Sequence, residues 1–326
     1  MFVDPAPHLI VPFARCGGDE CLKAVTSLKL KNLGHLLNGM SLIAADNGQA
    51  DSLSPPHERV LARAMGLPAS ADGLIPWAAY EAHQTHQTHE AHKAHDAHGT
   101  LGQAWAFITP CHWAMGREHA TLTDPATLDL TEEQSCTLLA AMQPYFATEG
   151  ITLHYLQAIR WLAQGEVFRK LPTASIDRAL GRNVDRWLPK SKAMKLLQNE
   201  MQMLLYTHPV NDERAANGQR SVNSFWLSGS GACNYLPTSK PRVTTAKNLM
   251  QAALGDDWAA YSQAWMQLDA TLIAQFLARQ KGGEAVRLSL CGESNAMSFG
   301  TTKSSLLSSV KQLLSPQCPI NLLKQL

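Results

Sequence analysis

Between His208 and Gly231 the chain reads HPVNDERAANGQRSVNSFWLSGSG, and its residue types suit the binding of an anion. Arg214 and Arg220 offer forked guanidinium donors that fit phosphate or carboxylate oxygens. His208, Asn211 and Asn223 stand beside them with further polar groups. At the far end, the small residues of Ser228-Gly229-Ser230-Gly231 let backbone N–H groups approach a ligand closely. A structural alternative is equally open at this level: His-Pro-Val-Asn stops a helix, and SGSG is a tight turn.

The flanking pattern says which elements hold these residues. MKLLQNEMQMLLY predicts a helix that ends at His208, because the residue before a proline is pushed out of the α region. A polar turn through Asn211, Asp212, Asn217 and Gly218 follows. Then comes SVNSFWL, a β-prone run suited to a buried strand. A strand closing in a Gly/Ser loop is where open α/β sheets receive their ligands. Upstream, Asp177, Arg178, Arg182, Asp185 and Arg186 alternate in sign. Arg182 is a candidate anion contact there, although a solvated, ion-paired surface explains the run equally well. His112 is a further candidate for the pocket.

Six histidines recur at every third position: His83, His86, His89, His92, His95 and His98. That period does not match an α-helix, which would wind them slowly around its surface, whereas a 3₁₀ or polyproline II segment would align them. Exposed imidazoles bind Zn²⁺, Ni²⁺ or Cu²⁺. The compositional reading is a repeat-expanded, disordered surface loop over 83–98 with adventitious metal affinity.

HPVN followed by Arg214, Gly218, Asn223 and a strand closing in Gly229-x-Gly231 resembles a motif of the archaeal-type, cofactor-independent phosphoglycerate mutases. Those enzymes belong to the alkaline-phosphatase-like superfamily. The chain as a whole is closer still to a proteobacterial family of RpfE-type regulatory proteins, through HPVN, the PCHW segment and VNSFWLSGSG. The resemblance implies a metal-dependent phosphoryl site, and this chain departs from it in three places. The first strand ends in Pro12-Phe13-Ala14, with no carboxylate before Asp19, where the mutases carry an aspartate ligand. Near His57 the mutases place a nucleophilic serine or threonine; Ser52 and Ser54 read as loop and capping residues. Cys291-Gly292-Glu293 stands where the mutases have an Asp-His pair, and no histidine follows His208. Asp19, His57 and Glu293 are the remaining metal candidates, with Glu20 as a further substitute.

Composition narrows the classes. With 326 residues, 45% hydrophobic, 17% charged and a net charge of +1, the chain reads as an ordinary globular protein. That charge argues against broad attraction to nucleic acid or membrane. The absence of a leader-like or spanning apolar run points to the cytoplasm. Seven cysteines do not form a disulfide framework, and the C-x4-C pair Cys16/Cys21 has no second pair at zinc spacing. Reduced, mostly buried thiols are expected.

In chain order, strands are expected at His8–Ala14, 103–110, 119–122, 151–163 and 285–291. Helices are expected over Lys29–Leu42, from Pro55, after a Thr131 cap, over 240–254 and over 257–280. The resemblance arranges these as an α/β fold of alkaline-phosphatase-like type: a central mostly parallel sheet with an inserted smaller α+β lobe. The core would take 1–100 and 191–326, and the lobe 101–190. The functional expectation is a mutase-related protein without the catalytic metal site or cofactor. It would bind a small anionic, phosphorylated metabolite or act as a regulatory protein on an unknown protein partner. The alternative is an active mutase or phosphatase with a rearranged Mn or Zn site.

Overall fold

The computed structural model describes residues 6–89, 100–235, 241–301 and 318–326. The chain divides into two compact units: Met1–Gly66 with Pro237–Leu326, and Leu67–Leu236. Both ends of the chain thus build one unit, and the middle is inserted into it. The division falls at 66/67 and 236/237, against the expected 100/101 and 190/191. It does so because 224–232 pairs with 104–111 and belongs with the middle.

The first unit is α/β. Its five-stranded sheet has the order β2-β11-β10-β1-β9, with strands numbered along the whole chain. Central β1 (His8–Val11) pairs in parallel with β10 (Arg287–Cys291) and β9 (Val243–Thr245). β11 (Asn295–Thr301) runs antiparallel to β10 and to the edge strand β2 (Met40–Asn47). All four β1 residues are buried, as a parallel inner strand covered on both faces requires. Leu9 and Val11 join one core with α1 (Asp19–Ser27), α2 (Lys31–Asn38), α10 (Trp258–Leu268) and α11 (Ala274–Lys281). Ile10, pointing the other way, packs with Val60 of α3 (Pro56–Ala64) and with Cys291 and Ala296.

α2 begins at Leu30 without a capping side chain of its own. The cap comes from elsewhere. The helix joining α10 to α11 widens into a π turn over Asp269–Ile273. There the buried Asp269 carboxylate accepts the N–H groups of Asn32 at 3.2 Å and Leu33 at 2.8 Å. A carboxylate at a helix N-terminus satisfies orphan donors and faces the positive end of the dipole.

The second unit is α+β. Its antiparallel sheet has the order β6-β7-β3-β8, built from β3 (Ala104–Cys111), β6 (Thr152–Gln157), β7 (Arg160–Gln164) and β8 (Ser224–Ala232). A small hairpin, β4 (Trp113–Met115) with β5 (Ala120–Leu122), extends from β3. α5 (Glu132–Thr148) and α7 (Lys192–Tyr206) close a separate core around Phe146, Trp161, Met201 and Phe225. Thr131 caps α5 in a reciprocal capping box with Gln134. α4 (Trp77–His89) carries His83, His86 and His89 on a helix, where a disordered loop was expected. His83 is buried with Nδ1 2.8 Å from Thr100 Oγ1, which ties this end of the repeat to the fold. His92, His95 and His98 lie outside the described residues.

Several elements differ from the sequence expectation, among them the helix expected over 240–254: Val243–Thr245 is strand β9 and the α-helix is confined to Met250–Leu254. The helix expected to reach Leu42 stops at Asn38, and 40–47 is a strand whose side chains are mostly exposed, so no alternating pattern marks it. The single strand expected over 151–163 is a hairpin, β6 and β7. The strand expected to be last, β10, is followed by β11. No helix among the described residues is long and apolar enough to cross a membrane.

Asp269→Ala orphans two N–H groups at a buried helix end. A loss of about 1–3 kcal/mol is expected, read as a lower denaturant midpoint. An unchanged midpoint would show that α2 does not depend on this cap.

Candidate functional site

The motif residues of 208–223 fold into a hydrogen-bonded knot in the second unit. His208 is the N-cap of α8 (Pro209–Ala216), its Nδ1 accepting the Val210 N–H at 3.2 Å, and Pro209 takes the first helical turn. The expected polar turn is therefore a short helix. Asn211 is buried; its Nδ2 donates to the Leu205 and Val222 carbonyls, and its Oδ1 accepts the Val222 N–H at 2.8 Å. Asn223 clamps Trp113, accepting its N–H at 2.7 Å and donating to its carbonyl at 3.0 Å. His112 donates Nδ1–H to the Ser221 carbonyl at 2.9 Å.

Arg214 is the centre of this knot and is fully buried. Nε donates to the Arg220 carbonyl at 2.8 Å, Nη1 to Gln134 Oε1 at 2.7 Å, and Nη2 to the Leu128 carbonyl. Burial lowers its pKa, opposed by the Asp129 carboxylate. Its forked donors are thus spent on the chain itself. Arg220, by contrast, has an exposed side chain.

The SGSG segment lies within β8 and not beyond its end, which corrects the expectation of a ligand loop there. The pairing of β8 with β3 shifts register opposite Trp105 and Phe107, a bulge in which Gly229 takes φ +62°. A Cβ on Gly229 would lie 2.8 Å from the Phe107 ring, and one on Gly231 3.0 Å from Pro76 Cβ. Ser230 is buried, its Oγ 2.9 Å from Thr173 Oγ1 and donating to the Leu171 carbonyl. The small residues serve close packing. Ser228 sits partly buried on the same strand, and the Arg182 backbone joins the β5 neighbourhood, where its carbonyl accepts the Leu122 N–H at 3.4 Å.

What remains is the loop closing β1 in the first unit, at the carboxyl end of a parallel strand. Phe13 takes φ +54°, a left-handed conformation that costs a non-glycine residue about 1–3 kcal/mol. The loop is held from several directions. Ala14 N–H donates to the Cys291 carbonyl at 2.8 Å. The Tyr261 hydroxyl lies 2.8 and 2.9 Å from the Phe13 and Ala14 carbonyls, and burial pushes its pKa up so that it stays a donor. Gly17 N–H donates to Glu293 Oε2 at 3.0 Å, and a Cβ at Gly17 would collide with that oxygen. The His57 ring stands 5.7 Å from that of Phe13.

Within this loop, Cys16 N–H donates to Cys21 Sγ at 3.2 Å. Cys21 is the third residue of α1, and its thiol is pushed down to about 6, first by the Cys16 side-chain hydrogen bond, against the opposing effect of burial. Arg15 is half-buried, and its Nε–H has no hydrogen-bond acceptor among the described residues. Asp19, exposed at the first position of α1, His57 and Glu293 border this loop, but among the described residues their ligand atoms are not gathered within reach of one ion. Sequence reasoning passed over Arg15 and Tyr261; a strained residue directly after a buried apolar strand leaves no mark in composition.

Nearby, both oxygens of Asp46 at the end of β2 are taken by Arg59 and Arg63 of α3. Arg59 also donates to the Ser54 and Ser294 carbonyls, the latter at 2.9 Å. Two arginines here stitch β2 to the β10–β11 turn.

Comparison with known proteins gives little by sequence: no family model and no curated protein matches. Two solved structures align over most of the chain. One is the cofactor-independent phosphoglycerate mutase from Thermoplasma acidophilum DSM 1728, 13% identical over 94% of both chains with a TM-score of 0.34. The other is a protein from Pyrococcus horikoshii, 9% identical over 94% of this chain and 92% of that one, with a TM-score of 0.41. Neither alignment assigns a residue or an activity to this chain.

Arg214→Ala is expected to cost about 2–5 kcal/mol in denaturant unfolding, because it empties a fully buried site and removes the donor to three acceptors, one of them fully buried. Arg220→Ala should stay within about 0.5 kcal/mol. A stable, folded Arg214→Ala protein would overturn the structural assignment and return this arginine to the list of ligand contacts.

Proposed function

We propose that this chain is a relative of the cofactor-independent phosphoglycerate mutases, within the alkaline-phosphatase-like superfamily, that binds a small phosphorylated anion at the loop closing β1. It acts as a regulatory protein and not as a catalyst. The RpfE-type grouping rests on the HPVN, PCHW and VNSFWLSGSG segments. A cytoplasmic, bacterial setting suits its seven reduced cysteines.

What carries the reading is the chemistry at the ends of two neighbouring parallel strands. β1 runs into Pro12-Phe13-Ala14, side chains without a metal donor. β10 ends at Cys291, a fully buried thiol whose pKa burial pushes up. The Glu293 carboxylate at this loop accepts a backbone N–H. A positive group is present instead: the half-buried Arg15, whose Nε–H has no acceptor among the described residues. A guanidinium there suits a phosphate or carboxylate.

The test uses a variant with His86, His89, His92, His95 and His98 replaced by glutamine, leaving the buried His83 intact. Elemental analysis is expected to find no stoichiometric Mn or Zn. Calorimetry with phosphoglycerate is expected to show binding that falls about 10- to 100-fold in Arg15→Gln, the worth of one charge-assisted hydrogen bond. Tightly held metal together with mutase or phosphatase turnover would replace this reading with an active enzyme. Binding that ignores Arg15 would move the ligand elsewhere.

A further inference from the structure

We propose that Cys16 and Cys21 form a reversible disulfide site, closed by exchange with the disulfide of a low-molecular-weight thiol such as glutathione disulfide. The proposal stands on the placement of the two thiols in one loop. The Cys16 N–H meets Cys21 Sγ at 3.2 Å. A disulfide needs the two sulfurs at roughly 2.05 Å, and the backbone N–H of one cysteine already touches the sulfur of the other.

Access is asymmetric. Cys16 is half-exposed, whereas Cys21 is fully buried and belongs to the core under α1. An incoming disulfide therefore meets Cys16 first. Between the two cysteines lie Gly17 and Gly18, and Gly18 takes φ +93° with open space where a Cβ would stand. Gly18 thus supplies the backbone conformation that a short closed ring demands, while Gly17 stays tied to Glu293.

The chemistry balances without any further reagent. Cys16 thiolate attacks one sulfur of the glutathione disulfide, forming a mixed disulfide and releasing one glutathione thiolate. Cys21 thiolate then attacks the Cys16 sulfur and expels the second glutathione. The protein loses two electrons, the small disulfide gains them, and the two cysteine protons end on the two released thiols. The new bond pins the half-exposed loop to the buried first turn of α1, so the redox state fixes the shape of the segment that closes β1. This inference does not depend on what ligand, if any, that segment binds.

Arg15 and Lys23 flank the pair, so trypsin releases both cysteines in one peptide, 16–23. The full-length protein is incubated with glutathione disulfide, alkylated under denaturing conditions and digested. The expected result is a 16–23 peptide lighter by two hydrogens than its reduced form, unalkylated, and restored to two alkyl groups by prior dithiothreitol. In Cys21→Ser, glutathione is expected to remain trapped on Cys16. The exposed Cys136 and Cys318 report that the reagent acted. A 16–23 peptide carrying two alkyl groups, or a lasting glutathione adduct on Cys16 in the wild type, while Cys136 or Cys318 is modified, would overturn the proposal.

Discussion

A guanidinium taken out of water must find an acceptor for its donors, or the burial is not tolerated. Arg214 meets that demand with the carbonyls of Arg220 and Leu128 and the side chain of Gln134. Those partners belong to three different places in the second unit: the approach to β8, the segment before α5 and the capping box of α5 itself. One buried cation thus fixes where α8 sits, how the chain enters β8 and how α5 starts. His208, Asn211 and Asn223 extend the same logic, each spending its polar atoms on backbone groups that a turn would otherwise leave unpaired.

The first unit obeys a different constraint. Its central strand is buried on both faces, so polar groups are driven to the strand's end, where the chain turns through Phe13 in a strained conformation. Strain of this kind persists only when the surroundings hold it. Tyr261, Cys291 and Glu293 do so here, by bonding to Phe13, Ala14 and Gly17. Rigidity at this loop is built from two side chains and one backbone carbonyl far away in sequence.

Much of the architecture was legible in the residues. The apolar run at His8–Val11, the Thr131 cap and the His208 stop all announced themselves through period, capping or proline chemistry. Edge strand β2 did not, because its exposed side chains carry no burial pattern. The roles of the motif residues were the harder matter. Arginine, asparagine and glycine are the same residues whether they hold a ligand or hold the backbone, and only the positions of their partners decide. Gly229 looked like room for a phosphate and is room for Phe107. The cysteine pair was visible as a spacing, but nothing in that spacing told that one thiol lies buried and the other half-exposed.

The insertion of one unit into the other sets an order on synthesis. β1 precedes the inserted unit in the chain, yet its partners β9 and β10 come from beyond residue 240. The inserted unit, contiguous in sequence, is complete before either arrives. Contacts of such long separation are slow to form, and a lone apolar strand waiting for them is open to wrong pairing. The central strand of the sheet is made before its partners and waits for them, so a chaperone that shields β1 during translation would act where this protein is most vulnerable.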